Sequence, residues 1–173
     1  MAGRTCTASH ATFVKILAVS VFLVALLLFP VFKGITITDY KTGKLLYFNS
    51  ADTGDRFSVR YIHSVNKSPV EDFFRIDDDT IIIERSVFTA FGAGVPASPD
   101  DGGILNVYND RIEVTEINRR IDDFLLFIGV TAEHRFKIDQ DEFLLRDISS
   151  VQRSLRIVVK RISLLDIIKL RYY

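Results

Sequence analysis

The stretch Arg56-Phe-Ser-Val-Arg-Tyr-Ile62 decides the fold class of this 173-residue chain. Apolar and polar residues alternate along it, so every second side chain from Phe57 to Tyr61 lies on one face, as in a half-buried β-strand. The stretch Glu133-His-Arg-Phe-Lys-Ile138 alternates in the same way. Its pattern places His134 with the packed apolar side chains, which favours a core residue over a metal ligand.

Further stretches are rich in β-branched and aromatic residues and are separated by turn-forming residues such as Lys41-Thr-Gly43 and Asp52-Thr-Gly54. These predicted strands are Gly34–Asp39, Lys44–Phe48, Val70–Ile76, Thr80–Phe88, Ile104–Tyr108, Arg111–Ile117, Glu142–Ile148 and Leu155–Ile162. Short strands at this spacing are typical of an antiparallel sandwich. The sequence therefore predicts an all-β, sandwich or barrel-like domain over residues 34–163.

The segment Arg119–Val130 fits two structures. Its apolar residues Ile121, Phe124, Leu125 and Ile128 fall at helical spacing, which predicts a short helix near residues 119–127. The run Phe124–Val130 is equally compatible with a buried strand, because a short apolar run does not distinguish the two by periodicity.

An apolar run precedes the predicted β domain. The 17 residues Ile16–Phe32 carry no charge, and extending the helix back to Phe13, with Lys15 reaching the headgroups, gives roughly the 30 Å of a bilayer core. The exit Phe29-Pro-Val-Phe-Lys-Gly34 lacks the small residues that signal-peptide cleavage requires. We expect residues 1–33 to form a short cytoplasmic N-terminus and an uncleaved transmembrane anchor.

The orientation of this anchor follows from its first residues. Two basic residues precede the apolar run and three follow it closely (Lys33, Lys41 and Lys44), so the positive-inside rule alone does not decide. The short N-terminus without acidic residues is typical of the cytoplasmic end of a signal anchor. We therefore predict a single-pass protein of the cell membrane with its C-terminal domain outside the cytoplasm.

The other end of the chain is basic. Residues 151–173 contain six basic residues and one acidic residue, Asp166, although the whole chain has 22 of each kind. Residues 164–173 form a basic amphipathic tail that is compatible with a short helix. The tail could lie against anionic headgroups, or the segment could pack on the domain as a strand and short helix.

Composition excludes several classes of protein. Zero net charge argues against a general nucleic-acid binder, and a single cysteine excludes a disulfide scaffold. The three histidines, at positions 10, 63 and 134, show no ligand spacing, so the sequence predicts no metal site.

A first group of candidate functional residues lies between Tyr61 and Asp72. If the flanking strands form a hairpin, His63, Ser64 and Glu71 lie near its tip, where they could form part of a nucleophilic or metal-dependent site. The simpler alternative is a turn in which His63 and Ser64 bind backbone groups, and the sequence favours this alternative.

A second candidate is the loop Ala90-Phe-Gly-Ala-Gly-Val-Pro-Ala97. Gly92, Gly94 and Ala97 fit the dinucleotide-binding string, but Pro96 lies inside it and no helix follows. We therefore predict no nucleotide and no other cofactor. The glycines still permit close approach of the backbone to another loop or a ligand.

Taken together, the motifs His63-Ser-Val65, Pro69-Val-Glu71 and Phe91-Gly-Ala-Gly-Val-Pro96 resemble an uncharacterised prokaryotic family, domain of unknown function 1850. The resemblance covers roughly residues 36 to 163. It marks His63, Ser64, Glu71, Gly92, Gly94 and Pro96 without giving them roles.

The resemblance also implies a small secreted or membrane-anchored protein, often encoded beside TAXI-type tripartite ATP-independent transporters. The sequence thus favours a non-enzymatic accessory protein, whose partners are the lipid bilayer and a transporter subunit or solute-binding protein. The alternatives are a membrane-anchored hydrolase or metal-dependent enzyme that uses His63, Ser64 and Glu71, and an extracytoplasmic ligand-binding or sensing domain.

Overall fold

The computed structural model describes residues 6–90 and 103–172, with side chains from residue 10 onward. Two compact units are distinguished: one comprises Met1–Phe32 with Arg161–Tyr173, as far as these are described, and the other comprises Lys33–Lys160. The strands are β1 (Phe32–Asp39), β2 (Leu45–Ser50), β3 (Arg56–Ile62), β4 (Pro69–Asp77), β5 (Thr80–Phe88), β6 (Ile104–Val107), β7 (Ile112–Thr115), β8 (Arg119–Ile121), β9 (Phe124–Phe127), β10 (Arg135–Ile138), β11 (Asp141–Leu144) and β12 (Ser154–Ile162). The helices are α1 (Cys6–Leu28), α2 (Leu145–Ile148) and α3 (Leu164–Tyr172).

Helix α1 contains the apolar run seen in the sequence. Its segment His10–Leu28 has a mean hydropathy of 2.5 and is long and apolar enough to cross a membrane. Every described side chain of α1 is exposed except Leu27, which is partly covered. The Ser20 hydroxyl donates to the Ile16 carbonyl at 2.9 Å, which satisfies a polar group within the apolar helix.

The smaller sheet has the strand order β2-β1-β12-β9, so the first and last strands of the domain lie side by side at its centre. Their alternating residues Ile35, Ile37, Leu155 and Ile157 are fully buried. On the other face, the hydroxyl of Thr36 donates to the carbonyl of Val158 at 3.0 Å. The two strands are therefore joined by a side-chain hydrogen bond as well as by their pairing in the sheet.

The larger sheet contains eight strands in the order β11-β10-β3-β4-β5-β7-β6, with β8 also paired to β5. The register shifts between β4 and β5, because Phe73 pairs with Arg85 whereas Phe74 pairs with Ile83. Glu84 is therefore the extra residue of a β-bulge, which turns its side chain away from the regular alternation.

Both sheets contribute to one main core. The rings of Phe57 and Phe74 stack at a centroid distance of 4.7 Å, and Phe136 and Phe124 extend this aromatic group. The core also includes Ile35, Ile37, Val59, Ile76, Ile81, Ile128, Ile138, Leu145, Leu155, Ile157 and Val159. A smaller cluster of Val70, Phe88, Ile112 and Val114 lies at the end of the larger sheet where β3 ends and β4 begins. The predicted all-β sandwich that follows one N-terminal helix is confirmed.

Two local predictions are wrong. The short helix predicted near residues 119–127 is replaced by β8 and β9, because Ile121 pairs with Ile81 of β5 and Phe124 pairs with Ile157 of β12. The strand predicted at Glu142–Ile148 ends at Leu144, and a single helical turn, α2, follows. In both places the structure depends on pairing with another strand. A short stretch of sequence carries no information about that partner.

Candidate functional site

The hairpin tip between β3 and β4 is organised by His63. Its backbone N–H donates to the Ser68 carbonyl at 2.9 Å, and its carbonyl accepts from the Lys67 N–H at 2.9 Å. The imidazole Nδ1 accepts from the backbone N–H groups of Val65 and Asn66, at 3.3 and 3.4 Å. An Nδ1 that accepts leaves the proton of the neutral ring on Nε2. The ring therefore caps the turn.

The rest of the tip faces outward. Ser64 is exposed, and the apolar side chain of Val65 is 66% exposed at the apex of the turn. Lys67 adopts a φ of 54°, a left-handed conformation that closes the loop before β4. The tip thus presents a hydroxyl and an isopropyl group on a backbone fixed by His63.

Glu71, the third predicted residue of this group, belongs to the outer face of the larger sheet. It lies directly opposite Arg60 in β3, and its Oε1 accepts a 2.8 Å hydrogen bond from the Ser58 hydroxyl. It lines a shallow groove of about 430 Å³ with residues that include Asp55, Phe73 and Lys137. His63 and Glu71 are both near the hairpin, but their described hydrogen-bond partners are different groups.

The core-facing side of the same strands carries a polar group that lies outside the sequence motifs. Asp72 of β4 lies directly opposite Ser86 of β5, whose hydroxyl donates to the Asp72 carboxylate at 2.6 Å. Burial raises the pKa of Asp72, although the Ser86 hydrogen bond acts in the opposite direction. Burial, with a smaller effect from Asp72, raises the pKa of the Tyr61 hydroxyl to about 12.

His134 completes this group of residues. Its ring lies 5.5 Å from the Tyr61 ring between centroids, and its side chain is buried, as its place in the sequence pattern predicts. Burial lowers its pKa, and its Nδ1 has no hydrogen-bond partner among the described residues. We call Tyr61, Asp72, Ser86 and His134 the inner polar cluster. One sign of this cluster is visible in the sequence. Alternation places the carboxylate of Asp72 on the same strand face as the apolar residues Val70 and Phe74.

The predicted glycine loop, with Gly92, Gly94 and Pro96, lies outside the described residues. The strand that leads into it is described: β5 ends at Phe88, which pairs with Val70 of β4. The chain therefore enters this loop at the same end of the sheet as the His63 turn.

The described side chains offer few groups for binding a metal. Within residues 6–90 and 103–172, no three His, Cys, Asp or Glu residues are grouped so that they could hold a metal ion. The described polar side chains form hydrogen bonds at the outer groove beside Glu71 and in the inner polar cluster.

Comparison with known proteins identifies the family. Neither curated proteins nor solved structures give a match. The family model described as Domain of unknown function (DUF1850) matches residues 57–145, from the second residue of β3 to the first residue of α2. The match covers more than half of the chain and contains the His63 turn, Glu71, the inner polar cluster and the glycine loop. The chain therefore belongs to the DUF1850 family.

Proposed function

We propose that this chain is a single-pass membrane protein whose β domain lies outside the cytoplasm and serves as a non-enzymatic accessory protein of a solute transporter. The observation that carries the membrane part is the exposure of α1. A core helix of a soluble protein buries its apolar side chains, whereas α1 leaves a segment of mean hydropathy 2.5 uncovered. The acyl chains of a bilayer would cover that apolar surface.

Cysteine labelling tests the proposed orientation, because the chain contains only Cys6. The wild type is compared with a Cys6→Ser, Gln140→Cys variant, whose new thiol lies in the exposed turn between β10 and β11. With a membrane-impermeant maleimide on intact spheroplasts, we expect labelling at position 140 and protection at position 6 until the membrane is opened. The reverse pattern overturns the orientation. Release of the full chain by alkaline carbonate overturns the anchor.

The accessory role is supported by the geometry of the His63 turn. Nucleophilic catalysis needs a base directed at a nucleophile, whereas the described hydrogen bonds of the His63 ring join Nδ1 to two backbone N–H groups, and Glu71 accepts from Ser58. The same turn leaves Ser64 and Val65 exposed, so their side chains are accessible to another protein. The choice of a tripartite ATP-independent transporter rests on the family resemblance.

Photo-crosslinking tests this contact in the membrane. A photoreactive amino acid replaces Val65 at the tip, and a matched control replaces Gln140, which is exposed at the opposite end of the larger sheet. In cells that contain the transporter, we expect position 65 to crosslink to a transporter subunit or its solute-binding protein, identified by mass spectrometry. Equal crosslinking at both positions, or none at position 65, contradicts the proposal.

A ligand-binding function is the second candidate, and the groove beside Glu71 favours it. Glu71, Lys137 and Arg56 give the groove both signs of charge around the apolar ring of Phe73. Native mass spectrometry of the full chain in detergent checks it. A constant added mass in the wild type that Glu71→Gln removes supports a ligand; an unmodified mass in both counts against one.

A further inference from the structure

Helix α3 begins at a well-formed cap. The Ser163 N–H and hydroxyl both donate to the Asp166 carboxylate, at 3.0 and 2.7 Å, and the Asp166 N–H donates back to the Ser163 hydroxyl at 3.2 Å. This reciprocal arrangement satisfies the free N–H groups of the first turn and fixes where the helix begins. The nine residues Leu164–Tyr172 are therefore held as a helix from a defined origin.

The exposed face of α3 has an uncommon composition for a soluble surface. Leu164, Ile168 and Tyr172 are 37%, 40% and 77% exposed and, spaced four residues apart, they form one row along the helix. The exposed cations Lys169 and Arg171 lie on the two sides of this row. An apolar row between cations is the pattern of a helix that lies in a membrane interface, where long basic side chains reach the headgroups.

The position of α3 beside α1 supports this interpretation. The two helices are in contact within one compact unit. Just before α3, the Arg161 guanidinium donates to the carbonyl of Val31 at 3.4 Å, and Leu27, in the last turn of α1, is the one described side chain of that helix that is not exposed. The contact is therefore at the C-terminal end of α1, where a spanning helix leaves the hydrocarbon core.

We infer that α3 is an interfacial helix that binds the anionic phospholipids of the leaflet in which α1 ends. Leu164, Ile168 and Tyr172 enter the boundary between headgroups and acyl chains, and Lys169 and Arg171 pair with lipid phosphates. This inference rests on the proposed membrane anchor, since it uses the same bilayer. The positive charges of Lys169 and Arg171 are complementary to the anionic headgroups. The same lipid surface covers the apolar row.

Because the chain contains no tryptophan, one introduced tryptophan is the sole indole reporter. The full chain is reconstituted in phosphatidylcholine vesicles with or without phosphatidylglycerol and with lipids brominated at shallow or deep acyl positions. Tyr172→Trp reports on α3 and Phe22→Trp on the middle of α1. Tyr40→Trp, at an exposed site of the β domain, is the control.

We expect shallow bromines to quench the tryptophan fluorescence of Tyr172→Trp, and to quench it more strongly when phosphatidylglycerol is present. Deep bromines should quench the fluorescence of Phe22→Trp. Neither set of bromines should quench the fluorescence of Tyr40→Trp. In a Lys169→Gln, Arg171→Gln background, Tyr172→Trp should lose its dependence on phosphatidylglycerol. Quenching of Phe22→Trp without quenching of Tyr172→Trp overturns the inference and leaves the anchor intact. Quenching of Tyr172→Trp that is the same in both lipid mixtures overturns the anionic-lipid part. Absence of quenching at Phe22→Trp overturns the anchor and the inference together.

Discussion

The Nδ1 atom of His63 lies 3.4 Å from the backbone nitrogen of Asn66 and accepts a hydrogen bond from its N–H group. A histidine in a marked motif of an uncharacterised family suggests catalysis, but here it closes a turn. Its side-chain contact resembles the one that asparagine and aspartate make in Asx turns, where a side-chain acceptor binds an N–H two or three residues later.

This contact predicts a difference between two substitutions of His63. His63→Ala removes the acceptor and should lower the free energy of unfolding by about 1 kcal/mol, the usual contribution of such a bond. His63→Asn retains an acceptor near the same place and should cost much less. Thermal unfolding of both variants in detergent, followed by circular dichroism, checks the difference. Equal losses would show that the imidazole has a role other than capping.

Arg56 and Arg75 also lie directly opposite each other, in β3 and β4, and the bulged residue Glu84 accepts from both at 2.8 and 2.9 Å. The Arg56 hydrogen bond is the main cause of a lowered Glu84 pKa. Glu84→Gln leaves two facing cations without their shared anion, so we expect a loss of about 1 kcal/mol at neutral pH, since the pairs are partly exposed.

The pH dependence of this loss tests its electrostatic origin. A carboxyl group whose pKa is lowered by folding stabilises the native state above its unfolded pKa, and that stabilisation disappears as pH falls through the folded pKa. The difference in unfolding free energy between the wild type and Glu84→Gln should therefore shrink from pH 7 to strongly acidic pH. A difference that stays constant over this range would indicate a packing effect instead.

His134 predicts a pH effect of its own. Because burial lowers its pKa below 6.5, the unfolded state takes up a proton before the native state does. The free energy of unfolding should therefore decrease as pH falls below about 6.5 towards the folded pKa. His134→Phe keeps an aromatic ring beside Tyr61 and removes the titrating group, so its stability should depend less on pH. Identical slopes in the wild type and His134→Phe would contradict the assignment.

Gly34 is restricted by the backbone of the next strand. A Cβ atom at this position would overlap the carbonyl oxygen of Asn49, so β1 and β2 would have to separate. Gly34→Ala should cost about 3 kcal/mol, the upper end for an overpacked core. Gly129→Ala, whose Cβ would meet only Ala132 at 3.3 Å, is the matched control. A Gly34→Ala variant as stable as Gly129→Ala would contradict the close approach.

The strands that the sequence predicts correctly are those in which apolar and polar residues alternate. Phe57 and Val59 repeat every second residue, and the structure buries both in β3. Alternation does not identify the strand at Phe124–Phe127, because four consecutive apolar residues fit both the period of a helix and the period of a strand. In the structure Phe124 and Leu126 are half-buried against the core, whereas Leu125 and Phe127 are exposed at the edge of the sheet. Only the partner strand β12 determines which side faces inward.

The candidate site was predictable to a smaller extent. The hairpin that places His63 at a tip follows from the two flanking strands and the turn residues between them. The pairing of Asp72 with Ser86 does not, because the register of β4 and β5 includes a bulge at Glu84 that no local pattern signals. The burial of His134 was predictable from alternation, whereas its contact with Tyr61 depends on the pairing of β10 with β3.

The central pairing of β1 with β12 has a consequence for synthesis. The hydrogen bond between Thr36 and Val158 joins residues 122 positions apart, so β1 leaves the ribosome long before its neighbour exists. During that interval Ile35 and Ile37 have no partner strand on that side, and such an unpaired strand edge is prone to aggregation. The smaller sheet closes only after nearly the whole chain has been made, and a chain truncated before β12 should be degraded rather than accumulate as a partly folded domain.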